Sequence, residues 1–248
     1  MVIKEYGDKN FPKIIILHPM LADGFTCMKL LKDLGNKYSY IVPDFSSHGE
    51  SEGEFISALK EADILMRYLK ENDYKEIELI FGASMGAVVA LYTIAYDSIK
   101  FKTIVLDGAP MYRNSYVLYN LLKFIMISKQ KKAKKNPEGV IQEMKKIYGE
   151  LGESMAKSLV KIKRESMNNV LWSCTHFKFP DYPRELQKRI FFEFGDKDFY
   201  SKRVRLIQKK YPYVHINIRN DYGHCEFLAI SPNEYVKMLI KYIEVEYK

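Results

Sequence analysis

The chain alternates between short, nearly continuous apolar runs and longer stretches in which apolar residues recur every three or four positions. Lys13-Ile14-Ile15-Ile16-Leu17-His18 is a β-branched run typical of a strand covered on both faces. Further strands are predicted over 38–42, stopped by Pro43, and over 76–81, 101–106, 189–194 and 214–218. Helical spacing is predicted over 25–34, 54–72, 85–96, 202–210 and 232–247, with Pro232 in the first turn of the last. In 54–72, Phe55, Leu59, Ala62, Leu65, Met66 and Leu69 form one stripe.

Apolar strands alternating with helices predict an α/β fold: a mostly parallel central sheet with helices on both faces. Such sheets take ligands beyond the carboxyl ends of their strands. The residues that follow each strand are therefore the place to look for chemistry. The stretch 111–183 breaks the alternation. It is helical in pattern and rich in Met, Tyr, Leu and Lys, and reads as an insertion between two strands. The expected organisation is a core of 1–110 and 184–248 with an inserted helical unit of 111–183.

Composition narrows the class. The 248 residues are 47% hydrophobic and 28% charged, which excludes wholesale disorder and permits a sizeable core. No apolar run nears the roughly 18 residues needed to cross a bilayer, so stable membrane insertion is not expected. The first eight residues carry no apolar signal-peptide core. Cys27, Cys174 and Cys225 form no CxxC pair and read as free thiols in a reducing cytoplasm. The formal net charge is +8. Residues 111–187 hold 15 basic and 7 acidic side chains, while the rest balances at 24 of each. The whole excess thus lies in one internal segment. No helix-turn-helix, RNP or zinc-finger pattern accompanies it, so no nucleic-acid partner is expected.

Gly82-Ala83-Ser84-Met85-Gly86 is a GxSxG pentapeptide. About one chain in ten of this length would carry one by chance at ordinary Gly and Ser frequencies. Its context decides the matter: an apolar strand ends at Phe81 and a helix begins near Met85. A serine there sits on a tight strand-to-helix turn, its Oγ lifted above the sheet. A serine hydroxyl is a poor nucleophile without a base and without donors for the oxyanion. Of the five histidines, His224 lies in a loop between the final strand and the last helix, and is the candidate base. His215 lies inside a strand and reads as filler. His176 sits in the insertion without a motif, and His18 and His48 read as structural hydrogen-bonders. The acid that orients the imidazole is sought in Gly195-Asp196-Lys197-Asp198. Asp198 lies further into the loop and leads, with Asp196 as a turn former. Asp107, at the end of another strand, is also open. The oxyanion hole needs two amides: Met85, after the nucleophile, and one from His18-Pro19-Met20-Leu21. Pro19 has no N–H, so Met20 leads and Leu21 is second.

On these residues the chain resembles α/β-hydrolase-fold enzymes of the esterase/lipase type with a helical lid. The likeness runs from residue 13 onward. It rests on the His18 loop, the elbow at Ser84, the order Ser84, Asp198, His224, and Asp44-Phe45-Ser46-Ser47-His48-Gly49-Glu50-Ser51, which is similar to the family's D-x-x-G-H-G-x-S turn. Pro19 stands where the family commonly has Gly, and Ser47 where it has Gly. The resemblance implies a serine hydrolase acting on an ester, thioester or similar acyl bond, without metal or organic cofactor. It makes 111–183 the cap. Carbon–carbon bond hydrolysis or a lyase-like reaction on the same triad is the alternative, followed by a non-catalytic ligand binder. The apolar stretch 117–127 is expected to pack against the sheet domain, with an acyl pocket or lipid contact as the other readings. The basic run from Lys129 to Lys135 reads as solvated surface, while the charge excess concentrated across the lid suggests an anionic or lipid-like small-molecule acyl substrate.

Overall fold

The computed structural model describes residues 1–245. Its centre is a seven-stranded sheet, ordered β1-β3-β2-β4-β5-β6-β7. The strands are β1 (Val2–Tyr6), β2 (Lys13–Leu17), β3 (Ser39–Asp44), β4 (Glu76–Ala83), β5 (Lys100–Asp107), β6 (Ile190–Gly195) and β7 (His215–Arg219). All neighbours pair in parallel except β1, which runs antiparallel to β3 in the register Val2 to Asp44. β1 was not among the predicted strands. Its Lys4 and Glu5 blur the apolar pattern, and an edge strand needs only one partner.

Burial explains why β2 is a continuous apolar run. Ile14 to Leu17 are all fully buried, with Ile15 and Leu17 in one core and Ile14 and Ile16 in the other. Each such side chain stabilises the fold by about 1.5–3 kcal/mol relative to exposure. Helices α2 (Ala58–Glu71) and α3 (Met85–Thr93) supply the first core; α1 (Gly24–Leu30) and α10 (Pro232–Ile243) supply the second. The helix expected over 54–72 starts late because Ser57 caps it, accepting from Lys60 N. Phe55 stays in the core but outside the helix. A short 3₁₀ turn (Lys32–Leu34) follows α1. The helix expected over 232–247 ends at Ile243; Tyr247 lies outside the described residues.

Between β5 and β6 come α4 (Tyr116–Lys135), α5 (Pro137–Lys161), α6 (Arg164–Thr175) and the single turn α7 (Arg184–Gln187). Gly149, at φ 54°, breaks α5 in two. These helices have their own apolar cluster, with Ala133, Val140, Ala156, Leu159, Met167 and Leu171 at its centre. Buried Gln130 ties α4 to the end of α5 by donating to the Leu159 and Ile162 carbonyls. Polar clasps join this layer to the sheet domain: Phe55 N and Ala58 N donate to Ser166 and Ser173 of α6, and Ser154 of α5 donates to Asp23. The stretch 117–127 does not pack on the sheet as expected. α4 lies on α5 and α6, and its Val117 and Phe124 are 83% and 74% exposed. No described helix is long and apolar enough to cross a membrane.

After β6, a 3₁₀ turn (Phe199–Arg203) leads into α8 (Val204–Lys210), and α9 (Glu226–Ile230) precedes α10. The strand order reverses at β2, which has β3 on one side and β4 on the other. The crevice beyond the carboxyl ends of β2 and β4 is thus the switch point where open α/β sheets take ligands.

Candidate active site

Ser84 occupies that crevice. It links β4 to α3 with φ 50° and ψ −111°, a conformation costing about 1–3 kcal/mol that surrounding structure must impose. Ser84 N donates to Asp107 O at 2.8 Å. The flanking glycines permit the turn to pack. A Cβ on Gly82 would lie 2.6 Å from Gly86 O, and one on Gly86 would lie 2.2 Å from Leu17 O.

His224 reaches the serine from the loop between β7 and α9. Its Nε2 lies 2.9 Å from Ser84 Oγ, and its Nδ1 lies 2.9 Å from Asp198 Oδ2. Asp198 follows β6 and is buried; its Oδ1 accepts from Tyr200 N at 2.9 Å, which fixes the carboxylate plane. Of the five histidines, only His224 meets Ser84. His18 Nε2 accepts from Phe45 N, and its Nδ1 donates to Pro19 O. His48 Nδ1 bonds Ser46 O. Burial pushes both down, to about 4 for His18 and about 3 for His48, so both are neutral. His215 is exposed on the edge strand, and His176 stacks on Trp172 in the inserted layer.

Three aspartates were in contention for the acid. Asp196 is exposed and outside the site. Asp107 is buried at the end of β5. Its Oδ2 has no hydrogen-bond partner; Tyr235 is near enough to affect its charge, but no hydrogen bond closes between them. Burial pushes the Asp107 carboxyl up to about 7, against the pull of the His224 charge. Asp198 alone is hydrogen-bonded to His224. Burial works against the imidazolium of His224, but the Asp198 hydrogen bond and charge outweigh it. With Asp107 adding its charge, they hold the histidine above its ordinary value of 6.5.

Pro19 O accepts from Ala22 N at 3.2 Å, closing a turn with Met20 and Leu21 at its centre and Leu21 at φ 69°. Among the described residues the Met20 amide has no acceptor, and the Met85 amide, opening α3, has none within the helix. Asp44 anchors the neighbouring turn by accepting from Gly24 N and Glu50 N. Ser47, where glycine is the resembling family's choice, adopts φ 67° in that turn.

A cavity of about 180 Å³ opens onto Ser84 and His224. Leu122 and Met126 of α4, Leu151 and Met155 of α5, and Leu171 of α6 line it, together with Tyr200. These residues were not singled out from the sequence. Tyr200 packs on the His224 ring at 5.1 Å. The glycine that breaks α5 was the one local signal that its second half turns to a new direction. Cys225, next to His224, is buried, and burial pushes its thiol far up. All three cysteines are free and buried. Among the described residues, no group of three or more His, Cys, Asp or Glu could hold a metal.

No family model matches the sequence, and no curated protein resembles it detectably. Solved structures do resemble its fold. A Desulfitobacterium hafniense protein assigned to the alpha/beta hydrolase family superposes with a TM-score of 0.75 at 18% identity, over 97% of this chain and 99% of that one. A marine microorganism esterase gives 0.74 at 18% identity, over 97% and 98%. MenH from S. aureus gives 0.69 at 17% identity, over 98% and 97%. The chain has the α/β-hydrolase fold. At these identities the likeness concerns the fold, and chemistry must be argued from the site.

Proposed function

We propose that the chain is a serine hydrolase that cleaves a carboxylic ester or related acyl bond through an acyl-enzyme. The observation that carries this reading is the unbroken line from Ser84 Oγ through His224 to buried Asp198, both links 2.9 Å long. Ser84 Oγ attacks the acyl carbonyl while His224 Nε2 takes its proton. Asp198 accepts from Nδ1–H, which keeps Nε2 basic and stabilises the imidazolium that forms. The Met85 and Met20 amides hold the oxyanion. The imidazolium then protonates the leaving oxygen or sulfur. Water, activated by the same imidazole, cleaves the acyl-enzyme.

The helical stretch 111–183 acts as the cap, and the acyl group sits beneath it. The cavity there is apolar and holds roughly six water volumes, which suits a short acyl group. The exposed lysines of α4 and its outer Val117 and Phe124 favour substrates that carry an anionic or lipid-like group beyond the acyl bond. Free buried thiols suit a reducing cytoplasm.

The test is labelling with a fluorophosphonate probe, followed by mass mapping, on the native chain and Ser84→Ala. Labelling at Ser84 that disappears in the variant is expected. A well-folded native chain that stays unlabelled, and that also fails to turn over a panel of short-chain esters, would overturn the reading.

A further inference from the structure

A second cavity, of about 670 Å³, lies away from the catalytic one. It is set where the inserted helices leave and rejoin the sheet domain. The two chain segments of this neck pair through Phe177 N to Tyr112 O at 2.8 Å and Ser115 N to Thr175 O at 3.0 Å. Arg113 and Lys178 project from the neck; Arg203 and Lys210 face them from the start and end of α8's approach and helix. No carboxylate lines the cavity. Lys210 is ion-paired with Asp181, while among the described residues Arg113, Lys178 and Arg203 meet no carboxylate.

Three like charges without a carboxylate partner around one concavity repel each other and focus a positive potential inside it. A folded chain tolerates this most readily where a ligand or solvent anion neutralises it. Arg203 is not a loose surface cation. Its guanidinium lies 4.1 Å from the Tyr112 ring centroid, and stacking limits its motion. A planar guanidinium held in one orientation matches phosphate oxygens in pairs. Tyr112 and Phe177 are buried beneath the cavity, so the apolar surface it offers is the partly exposed Phe179 ring, with Leu206 as an apolar wall. The volume falls within the range of small-molecule sites, about 300–1,000 Å³.

We propose that this neck cavity binds a phosphate-bearing small molecule with a flat ring, the chemistry of a nucleoside diphosphate. Its phosphates engage Arg113, Lys178 and Arg203, which meet no carboxylate among the described residues, and its ring lies against Phe179 and Leu206. The cavity contains no nucleophile with an adjacent base, so the role is binding rather than a second reaction. The floor is also the back of the acid loop: Tyr112 stacks on Phe199 and meets Tyr200 edge-on, and both follow Asp198 directly.

The experiment is calorimetric titration of the full chain with ADP, and separately with pyrophosphate, alongside hydrogen exchange with and without ADP. ADP is expected to saturate with a Kd below about 1 mM, and pyrophosphate to bind more weakly. Arg113→Ala, at an exposed side chain that folding does not require, and Arg203→Gln should each weaken ADP by about tenfold. Lys241→Ala, at an exposed position of α10, should leave it unchanged. Protection should fall on 111–115 and 177–179. Failure of both ligands to saturate would overturn the proposal. So would equal affinity in the Arg113→Ala variant and the native chain, equal loss in Lys241→Ala, or protection confined to 20–21 and 224–225. None of these readouts depends on the hydrolase reading, so the two can fail separately.

Discussion

Replacing Asp198 by Asn tests the proposed division of labour between the two buried aspartates. The carboxylate now accepts from His224 Nδ1–H at 2.9 Å and from Tyr200 N at 2.9 Å. An asparagine keeps an oxygen for Tyr200 N but turns its NH₂ toward Nδ1. Nδ1 must then accept, the ring proton moves to Nε2, and Nε2 can no longer take the proton of Ser84. The expected loss is about 10⁴-fold in kcat, equivalent to about 5.5 kcal/mol of transition-state stabilisation. Folding should change little, because the Tyr200 contact survives. Asp107→Asn removes only a charge that acts on His224 without a hydrogen bond, and less than about tenfold is expected. The pH profile separates the roles further. In the proposed mechanism His224 works as the neutral base, so native activity is expected to be lost as the pH falls through a value above 6.5. Without Asp198 the largest contributions that raise this value are gone and burial outweighs the remaining charge of Asp107, so the acid limb of the residual activity moves to lower pH. Hydrolysis of a p-nitrophenyl ester across the neutral range, with thermal melts of each variant, measures all of this. If Asp107→Asn costs as much as Asp198→Asn, or if the acid limb stays where it was, the assignment of the acid is wrong.

Four further outcomes are expected. Gly86→Ala puts a Cβ 2.2 Å from the Leu17 carbonyl, backbone against backbone, and should cost at least about 3 kcal/mol, read from the urea midpoint; near-native stability would contradict the packing of the elbow. His48 is held neutral, pushed down to about 3 by burial, so the stability tied to its neutrality is full above 6.5 and is lost as the pH falls toward about 3. Asp107, raised to about 7, works in the opposite sense, so the measurement is a difference: His48→Gln should lose about 2 kcal/mol less than the native chain on acidification to about pH 5. Leu122→Ala and Met155→Ala should shift the preferred acyl chain to greater length in kcat/KM across an ester series, while Phe124→Ala, on the outer face, should not. Rising salt should lower kcat/KM for an anionic ester more than for a neutral ester of equal chain length, and an identical response would remove the lysines of α4 from any account of substrate choice.

The parts of the fold that could be read from the sequence are those set by local pattern. The run at 13–17 is apolar because both its faces are buried, and the strand-elbow-helix order around Ser84 follows from glycines two residues either side of a serine. What escaped depends on partners distant in sequence. β1 exists because Val2 to Tyr6 find β3, and nothing within Val-Ile-Lys-Glu-Tyr announces that pairing. The apolar periodicity of α4 indicates a helix but not what covers it. The face bearing Leu122 and Met126 turned out to line a cavity, and the one bearing Val117 and Phe124 faces outward. Asp196 and Asp198 stand two residues apart in one loop, and the sequence does not say which will turn inward. The backbone pairing of Asp196 N with Arg219 O at 2.9 Å extends the β6–β7 ladder past the strand end, so the chain turns toward His224 only afterwards.

Two glycines show how far the candidate site depends on such distant contacts. No motif marks Gly108 or Gly195, yet both sit where the loops bearing the acid and the base close on one another. A Cβ on Gly108, at φ 59°, would lie 2.7 Å from His224 Cε1, and one on Gly195 would lie 2.0 Å from Tyr222 O. Any side chain there pushes the His224 loop away from Ser84. Displacement of a catalytic group by about 1 Å can cost a hundredfold in rate, and it would lengthen both 2.9 Å links at once. The absence of a side chain at these two positions is therefore as much a part of the geometry as the imidazole itself. Its effect should appear in kcat before it appears as a different fold, because the strands beneath each glycine are already held by the sheet.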